Sequence, residues 1–413
     1  MRLHLRSLVL LALAACAVPS VADASATSYY RLVQYPGAAS SDYGFAGVHG
    51  QTAAAKKSID MEMYELTDRL EENELAAAAK RGVTVRVLLD RDFSGGTVNR
   101  PAYTYLHSHG VAVRWGPAGY IFHIKAITFD RRTSDVSTAN LTSKYYADTR
   151  DAMIIDTNPA QVAAIDGTFA RDWGAAPGGK PGSQTVQAAG LVWSPNTGTG
   201  TAQDAMVAEI RAAKSSVFFT SEELSDPAVY DALGADAERD VHCQIVMTES
   251  SEWSVGFTAA RRAGCQVHVF PDSSSALYIH EKIVLDDAGS TRASMLIGSQ
   301  NAGDYSLTRN RELSLLLTDK TAHAVIASVA STFDRDFANA SAWQSGTSTG
   351  TSGGGSVTTP TPTGACSPKT SSGNCYSAGE FCSDAEHGES GIAKDGEAIV
   401  CEENGSYWRW EPK

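Results

Sequence analysis

Tyr278-Ile279-His280-Glu281-Lys282-Ile283-Val284-Leu285-Asp286-Asp287 and Ile121-Phe122-His123-Ile124-Lys125-Ala126-Ile127-Thr128-Phe129-Asp130 are the two stretches whose agreement decides the fold. Each reads His-x-Lys-x-x-x-x-Asp. On an extended strand alternate side chains share a face, so His123 is expected to point with Lys125 and His280 with Lys282. The residue between them then points into the core, a pattern that Glu281 breaks in the second copy.

The agreement extends in both directions. Ala54-Ala55-Lys56-Lys57-Ser58-Ile59 matches Ala212-Ala213-Lys214-Ser215-Ser216-Val217, and Glu65-Leu66-Thr67-Asp68 matches Glu223-Leu224-Ser225-Asp226. Val83 to Leu89 matches Val241 to Met247, and His109-Gly110-Val111 matches Ala263-Gly264-Cys265, so the offset is 158 at residue 54 and 154 at residue 109. An internal repeat of this length means two lobes of one design, 27–185 and 186–343. Within each, Ala-rich helical stretches (Glu71 to Lys80; Ala202 to Ala213) alternate with short β-branched runs, which predicts α/β lobes with a parallel or mixed sheet.

The rest of the chain is organised around that body. Arg2 and Arg6, the apolar run Leu8 to Ala15 and the small residues at Ala22-Asp23-Ala24 read as a secretory signal over 1–24. The alternative is a lipid anchor at Cys16, because Leu13-Ala14-Ala15-Cys16 has the form of a lipobox. Residues 344–365 are rich in Ser, Thr, Gly and Pro and read as a linker. Beyond it, 366–413 is too small for a large core and carries four cysteines. Outside the signal six cysteines remain, Cys243, Cys265, Cys366, Cys375, Cys382 and Cys401, an even number that suits disulfides in an exported protein. Cys243 and Cys265 are expected on neighbouring strands, where a bridge or two buried thiols are both open. No Cys-x-x-Cys pair points to structural zinc. Tyr407, Trp408 and Trp410 end the module, either as exposed rings or as a small core.

A second matched element follows each His-Lys pair. Ser137-Thr138-Ala139-Asn140 leads eleven residues on to Asp151, and Gly298-Ser299-Gln300-Asn301 leads eleven residues on to Glu312. The set suits chemistry on a phosphodiester, which gains negative charge on its oxygens during attack. Lys125 and Lys282 offer positive charge; Asn140, Asn301, Thr138 and Ser299 offer neutral donors. Imidazole titrates near neutrality, so one histidine can attack while the other donates a proton. Asp151 and Glu312 can each fix a ring through its second nitrogen. The other histidines, His49, His107, His109, His242, His268, His323 and His387, have no repeated partner and are read as structural. Arg131, Arg132, Lys144, Arg150, Arg309 and Arg311 flank the motifs, as solvated surface or as contacts to a charged head group.

These residues resemble the phospholipase D superfamily, whose signature is His-x-Lys-x-x-x-x-Asp followed by a Gly/Ser-x-Asn element; the likeness covers roughly residues 45 to 335. Lobe one departs from it with Ser137-Thr138 in place of Gly-Ser and with Asp151 in place of Glu. The resemblance implies two lobes related by a pseudo-twofold axis, one shared active site, and a two-step mechanism without metal or cofactor. It implies His123 as nucleophile and His280 as general acid/base, with the reverse order open, and possible transfer to alcohols other than water. Asp130 and Asp287 are read as stabilising local structure.

The expected function is a secreted, monomeric phospholipase D that hydrolyses phospholipid head groups at a membrane or micelle surface. Alternatives are a secreted metal-independent endonuclease of the same superfamily and a non-catalytic cell-envelope binding protein. The net charge of -13 gives no long-range attraction for nucleic acid, although a local basic groove can sit on an acidic body.

Overall fold

The computed structural model describes residues 28–36, 46–91, 96–116, 121–176, 185–195, 200–344, 366–369, 376, 382, 386–393, 398–404 and 407–413. The signal over 1–24 with Cys16, nearly all of the linker, and Cys375 lie outside them.

The first half runs β1 (Tyr30–Tyr35), α1 (Ala46–Ala54), β2 (Ser58–Met63), α2 (Arg69–Lys80), β3 (Thr84–Leu89), α3 (Arg100–Ser108), β4 (Ala112–Trp115), β5 (Lys125–Phe129), β6 (Thr133–Ser137), β7 (Thr149–Asp156) and α4 (Pro159–Ala175). The second runs β8 (Leu191–Ser194), α5 (Ala202–Ala212), β9 (Ser216–Thr220), α6 (Pro227–Glu238), β10 (His242–Thr248), α7 (Ser254–Ala263), β11 (Gln266–Phe270), β12 (Tyr278–Ile279), β13 (Ile283–Asp286), β14 (Ser294–Gly298), α8 (Asp304–Thr308), β15 (Glu312–Thr318), α9 (Asp319–Asn339) and β16 (Ser341–Ala342).

Strand order in the first sheet is β1-β7-β6-β5-β2-β3-β4, and in the second β8-β15-β14-β13-β9-β10-β11 with β16 added at the edge. The two orders match element for element. In each sheet three strands run parallel (β2, β3, β4; β9, β10, β11) and the others antiparallel, so the sheets are mixed. One strand crosses over: β12 belongs to the second half by sequence but pairs in parallel with β7 of the first.

Local chemistry explains the element ends. Asp68 accepts from the N–H groups of Leu70 and Glu71, so α2 begins two residues before the Ala-rich run suggests, with Glu71 and Glu72 in its first turn and Lys80 in its last. Thr201 and Asp204 form a capping box on α5. β5 and β7 are buried along their whole length, as strands covered on both faces must be. One apolar cluster draws on both halves, with Phe122, Ile124, Ala152 and Phe169 from the first and Trp193, Ile283, Leu313 and Leu315 from the second.

Asp130 and Asp287 do the structural work read for them. Both adopt left-handed backbone, φ 52° and 48°. The Asp130 carboxylate accepts from the N–H groups of Lys56, Lys57 and Ser58, and Asp287 from those of Lys214, Ser215 and Ser216. Each thereby ties the end of one strand to the start of its neighbour. Burial would raise the Asp287 carboxyl, but the Ser215 hydroxyl and these N–H donors hold it at about 2.

Cys243 and Cys265 are joined, with Cα atoms 4.7 Å apart. Cys243 lies on β10 as expected; Cys265 lies one residue before β11, at the end of the turn whose Gly264 takes φ 116°. The carboxy-terminal module holds β17 (Ser390–Ile392), β18 (Ala398–Asn404) and β19 (Tyr407–Pro412), with Cys382 bonded to Cys401 and Cys366 also in a disulfide. Trp410 is fully buried there with Ile399 and Cys401, so this ring belongs to the small core; the side chains of Tyr407 and Trp408 lie outside the described ones. Among the described residues no helix is long and apolar enough to cross a membrane.

Candidate active site

The four motif residues lie at the entrances of β5 and β13, the strand at the middle of each sheet. The expectation that each whole motif lies on a strand is corrected: β5 begins at Lys125 and β13 at Ile283, so both histidines and Lys282 precede their strands. Backbone pairing across the two halves explains why. The N–H groups of His280 and Glu281 both donate to the Arg150 carbonyl on β7, and Arg311 N–H donates to the Ile121 carbonyl. Each histidine segment thus leaves its own sheet to meet the other half. Glu281 does point inward; burial pushes its carboxyl up to about 8, so it sits there as a neutral acid.

The same exchange sets the side chains. His123 Nδ1 is 2.8 Å from Glu312 Oε2, and His280 Nδ1 is 2.8 Å from Asp151 Oδ1. Each ring is therefore held at Nδ1 by the carboxylate of the opposite half, which leaves Nε2 as the end not used by that bond. Glu312 is braced by the Ser306 hydroxyl at 2.6 Å, and Asp151 by the Thr138 hydroxyl at 2.6 Å. Lys125 Nζ folds back onto the His123 carbonyl at 2.7 Å, and Lys282 Nζ onto the His280 carbonyl.

The expected role of Thr138 and Ser299 as phosphate donors is corrected. Both are wholly buried behind the site. The Thr138 hydroxyl donates to Asp151 and accepts from Ala152 N–H; that of Ser299 accepts from Leu313 N–H and faces the Leu313 carbonyl. Their hydrogen bonds are spent on β7 and β15. Gly298, next to Ser299, is needed where it stands, since a Cβ there would lie 2.3 Å from the Leu313 carbonyl oxygen. Asn301 lies in the site and Asn140 is half-buried; the Oδ1 of each is buried without a hydrogen-bond partner among the described residues.

Arg150 and Arg311 are not available to a head group. Arg150 donates from Nε and Nη2 to Asp336 on α9, and Arg311 likewise to Asp172 on α4. Arg131 and Arg309 are exposed, near Asp166 and Asp304. His49 bonds Asp68 and His268 bonds the Phe337 carbonyl, structural positions both.

Charge in the site is uneven. Burial lowers the His123 imidazole to about 4 against the pull of Glu312, with Lys125 adding to the effect, so the ring is neutral near pH 7. Burial likewise lowers Lys125 to about 7, with Glu312 opposing and Lys282 contributing. Burial would raise Glu312, but His123 and Lys125 hold it below the usual carboxylate range. Among the described residues no group of three or more His, Cys, Asp and Glu is arranged to hold a metal.

Sequence reasoning missed Glu222, whose Oε2 lies 3.1 Å from Lys282 Nζ, 3.3 Å from Asn301 Nδ2 and 3.4 Å from His280 Nε2. Burial would raise this carboxyl too; Lys282, His280 and His123 together hold it well below the ordinary range. Burial and Glu222 push the neighbouring Glu223 up to about 8. The available signal was the repeat itself, which sets Glu222 opposite Tyr64; the matched run starts one residue later, at Glu65 and Glu223.

A family model described as "Cardiolipin synthase, PLD-like domain" matches residues 50–173 and 206–338, more than half of the chain. The chain belongs to the phospholipase D superfamily. Solved structures with the same fold include phosphatidylserine synthase from Haemophilus influenzae Rd KW20, at 10% identity, 75% of this chain, 86% of that chain and a TM-score of 0.56. Polyphosphate kinase from Porphyromonas gingivalis matches at 15% identity over 74% of this chain, with a TM-score of 0.54; this chain covers 50% of that kinase's length. No curated protein matches. Both phospholipase D-like segments contain one His-Lys pair, and the carboxylate that holds the other segment's ring.

Proposed function

We propose that this chain is a secreted phospholipase D that hydrolyses phospholipid head groups through a phosphohistidine. The observation that carries the reading is the exchange of carboxylates: His123 on Glu312 and His280 on Asp151. It gives two imidazoles aimed from opposite halves, each with a lysine beside it.

His123 is neutral near pH 7, with Nδ1–H donated to Glu312, so its Nε2 lone pair attacks phosphorus. The N–P bond forms as the P–O bond to the head-group alcohol breaks, and His280 gives that oxygen its proton. His280 has a carboxylate near each nitrogen, Asp151 at Nδ1 and Glu222 at Nε2, so its charged form has an acceptor for both protons. In the second step His280 takes a proton from water, which attacks phosphorus and releases His123. Lys125, Lys282 and Asn301 bear the charge that gathers on the phosphoryl oxygens. Export is supported by the amino-terminal signal and by the Cys243–Cys265 bond, since disulfides persist in oxidising compartments.

The test is purified mature protein with phosphatidylcholine and, separately, plasmid DNA, both in EDTA. Choline release supports the reading. Nicking of the plasmid alone makes it a nuclease, and silence in both makes it a binding protein. Whichever activity appears must vanish in His123→Ala and in His280→Ala.

A further inference from the structure

We infer that Glu222 and Tyr278 form a seat for a positively charged group on the leaving alcohol, so that the site selects diesters with an ammonium head group. The inference deepens the phospholipase reading and rests on it for the placing of His280 beside the leaving oxygen.

Three contacts carry it. Glu222 Oε2 lies against Lys282 Nζ, Asn301 Nδ2 and His280 Nε2, the donors a phosphoryl oxygen needs in this half. The carboxylate therefore fills the anion position of the second half until substrate arrives. Its other oxygen, Oε1, accepts from the Tyr278 hydroxyl at 3.1 Å, and Tyr278 is 37% exposed. The first half is built differently at the matched position. Tyr64 stands there, its ring 4.5 Å from that of His123 and 4.8 Å from Lys125 Nζ, and brings no charge.

Binding of a diester has a clear consequence. Once the phosphoryl oxygens take Lys282 and Asn301, Glu222 loses its cationic partner while still within a few ångströms of the anion that displaced it. An ionised carboxylate left unpaired in a partly buried position is costly. A trimethylammonium or primary ammonium on the leaving alcohol supplies the missing charge, and a partly exposed tyrosine is a favourable neighbour for such a cation. A neutral alcohol supplies neither, and a nucleic-acid strand brings a further phosphate where a cation is wanted. Glu222 lies 3.4 Å from His280 Nε2, which places this seat on the leaving-group side.

The test uses the intact protein and two soluble monoesters, phosphocholine and glycerol 3-phosphate, with binding measured by calorimetry so that no turnover is needed. The wild type is expected to prefer phosphocholine by about tenfold or more. Glu222→Gln should lose that preference, chiefly by binding glycerol 3-phosphate more tightly. Glu222→Asp keeps the charge and should retain part of it, and Tyr278→Ala should weaken phosphocholine alone. Equal affinities in the wild type, or a preference that survives in Glu222→Gln, overturn the inference. If the preference behaves as expected but no choline is released from phosphatidylcholine, the seat stands and the phospholipase reading falls. If choline is released while binding is indifferent to Glu222, the phospholipase reading stands and the seat falls.

Discussion

Arg311 reaches across the junction between the halves and donates from Nε and Nη2 to Asp172, at 2.7 Å each, with both side chains wholly buried. Arg150 does the same to Asp336 from the other side. Each arginine immediately precedes the carboxylate that holds a ring of the opposite half, Glu312 after Arg311 and Asp151 after Arg150. The clasp and the aim of the histidine are therefore adjacent steps along the chain, on β7 for Arg150 and at the entrance of β15 for Arg311. Arg311→Met should cost about 3–5 kcal/mol, because Asp172 is left as an uncompensated buried charge. The double variant with Asp172→Leu should recover most of it. Urea unfolding checks both, and a loss under about 1 kcal/mol in the single variant counts against the clasp.

His280→Ala should trap the covalent intermediate. With a p-nitrophenyl diester the leaving group needs no acid, so attack by His123 proceeds while its hydrolysis lacks a base. Steady turnover should fall roughly 10⁴-fold or more, as when one member of a concerted catalytic set is removed. Peptide mapping should find phosphate on the peptide that contains His123. Phosphate on any other residue reverses or removes the assignment.

The pH profile of kcat/KM reports the free enzyme's groups. His123 must be neutral to attack, and burial lowers it to about 4, so the acid limb should fall near 4 rather than at the ordinary imidazole value. Lys125, lowered to about 7, loses its proton as pH rises through that value, so phosphate is held less well on the alkaline side. Lys125→Arg, which keeps its charge, should move that limb, leaving the part set by the proton that His280 must carry. An acid limb near the ordinary imidazole value of about 6.5, or an alkaline limb unmoved by Lys125→Arg, would contradict the roles given to these two residues.

Thr138→Val tests a positioning residue. Its hydroxyl serves Asp151 and β7, so its loss should lower kcat by about tenfold, within the range of a net charge-assisted hydrogen bond, and leave phosphate affinity nearly unchanged. A clearly weaker phosphate Kd would return Thr138 to the substrate.

The Cys243–Cys265 bond closes a loop with a sequence separation of 22, for which about 3 kcal/mol of stabilisation is expected. Cys243→Ala/Cys265→Ala, compared with the oxidised wild type in urea, should show that loss. An unchanged midpoint would mean that the two positions are held by packing alone.

The two-lobed α/β fold and the His-Lys pairs were legible because the repeat presents each of them twice, and chance rarely duplicates a spaced motif with its downstream element. What pairs with what was not legible. Asp172 is 139 residues from Arg311 and Asp336 is 186 from Arg150, distances at which no local pattern operates. Arg150 and Arg311 read as solvated surface or as contacts to a charged head group because charge alone does not reveal a buried partner. Thr138 and Ser299 carried the right chemistry for phosphate, yet strand pairing consumes their hydrogen bonds first. Glu222 was hidden for another reason: it is a place where the two copies disagree, and a search for repetition passes over differences. Ser306 falls in the same class, bracing Glu312 where Thr138 braces Asp151.

The short β12 strand has a wider meaning. Because Tyr278 and Ile279 pair with a strand of the other half, neither half is a self-sufficient unit: alone, the first would leave the Thr149–Arg150 end of β7 unpaired beyond the reach of β1, and each would own a histidine with nothing to steer it. The two copies are thus interdependent, since each positions the histidine of the other.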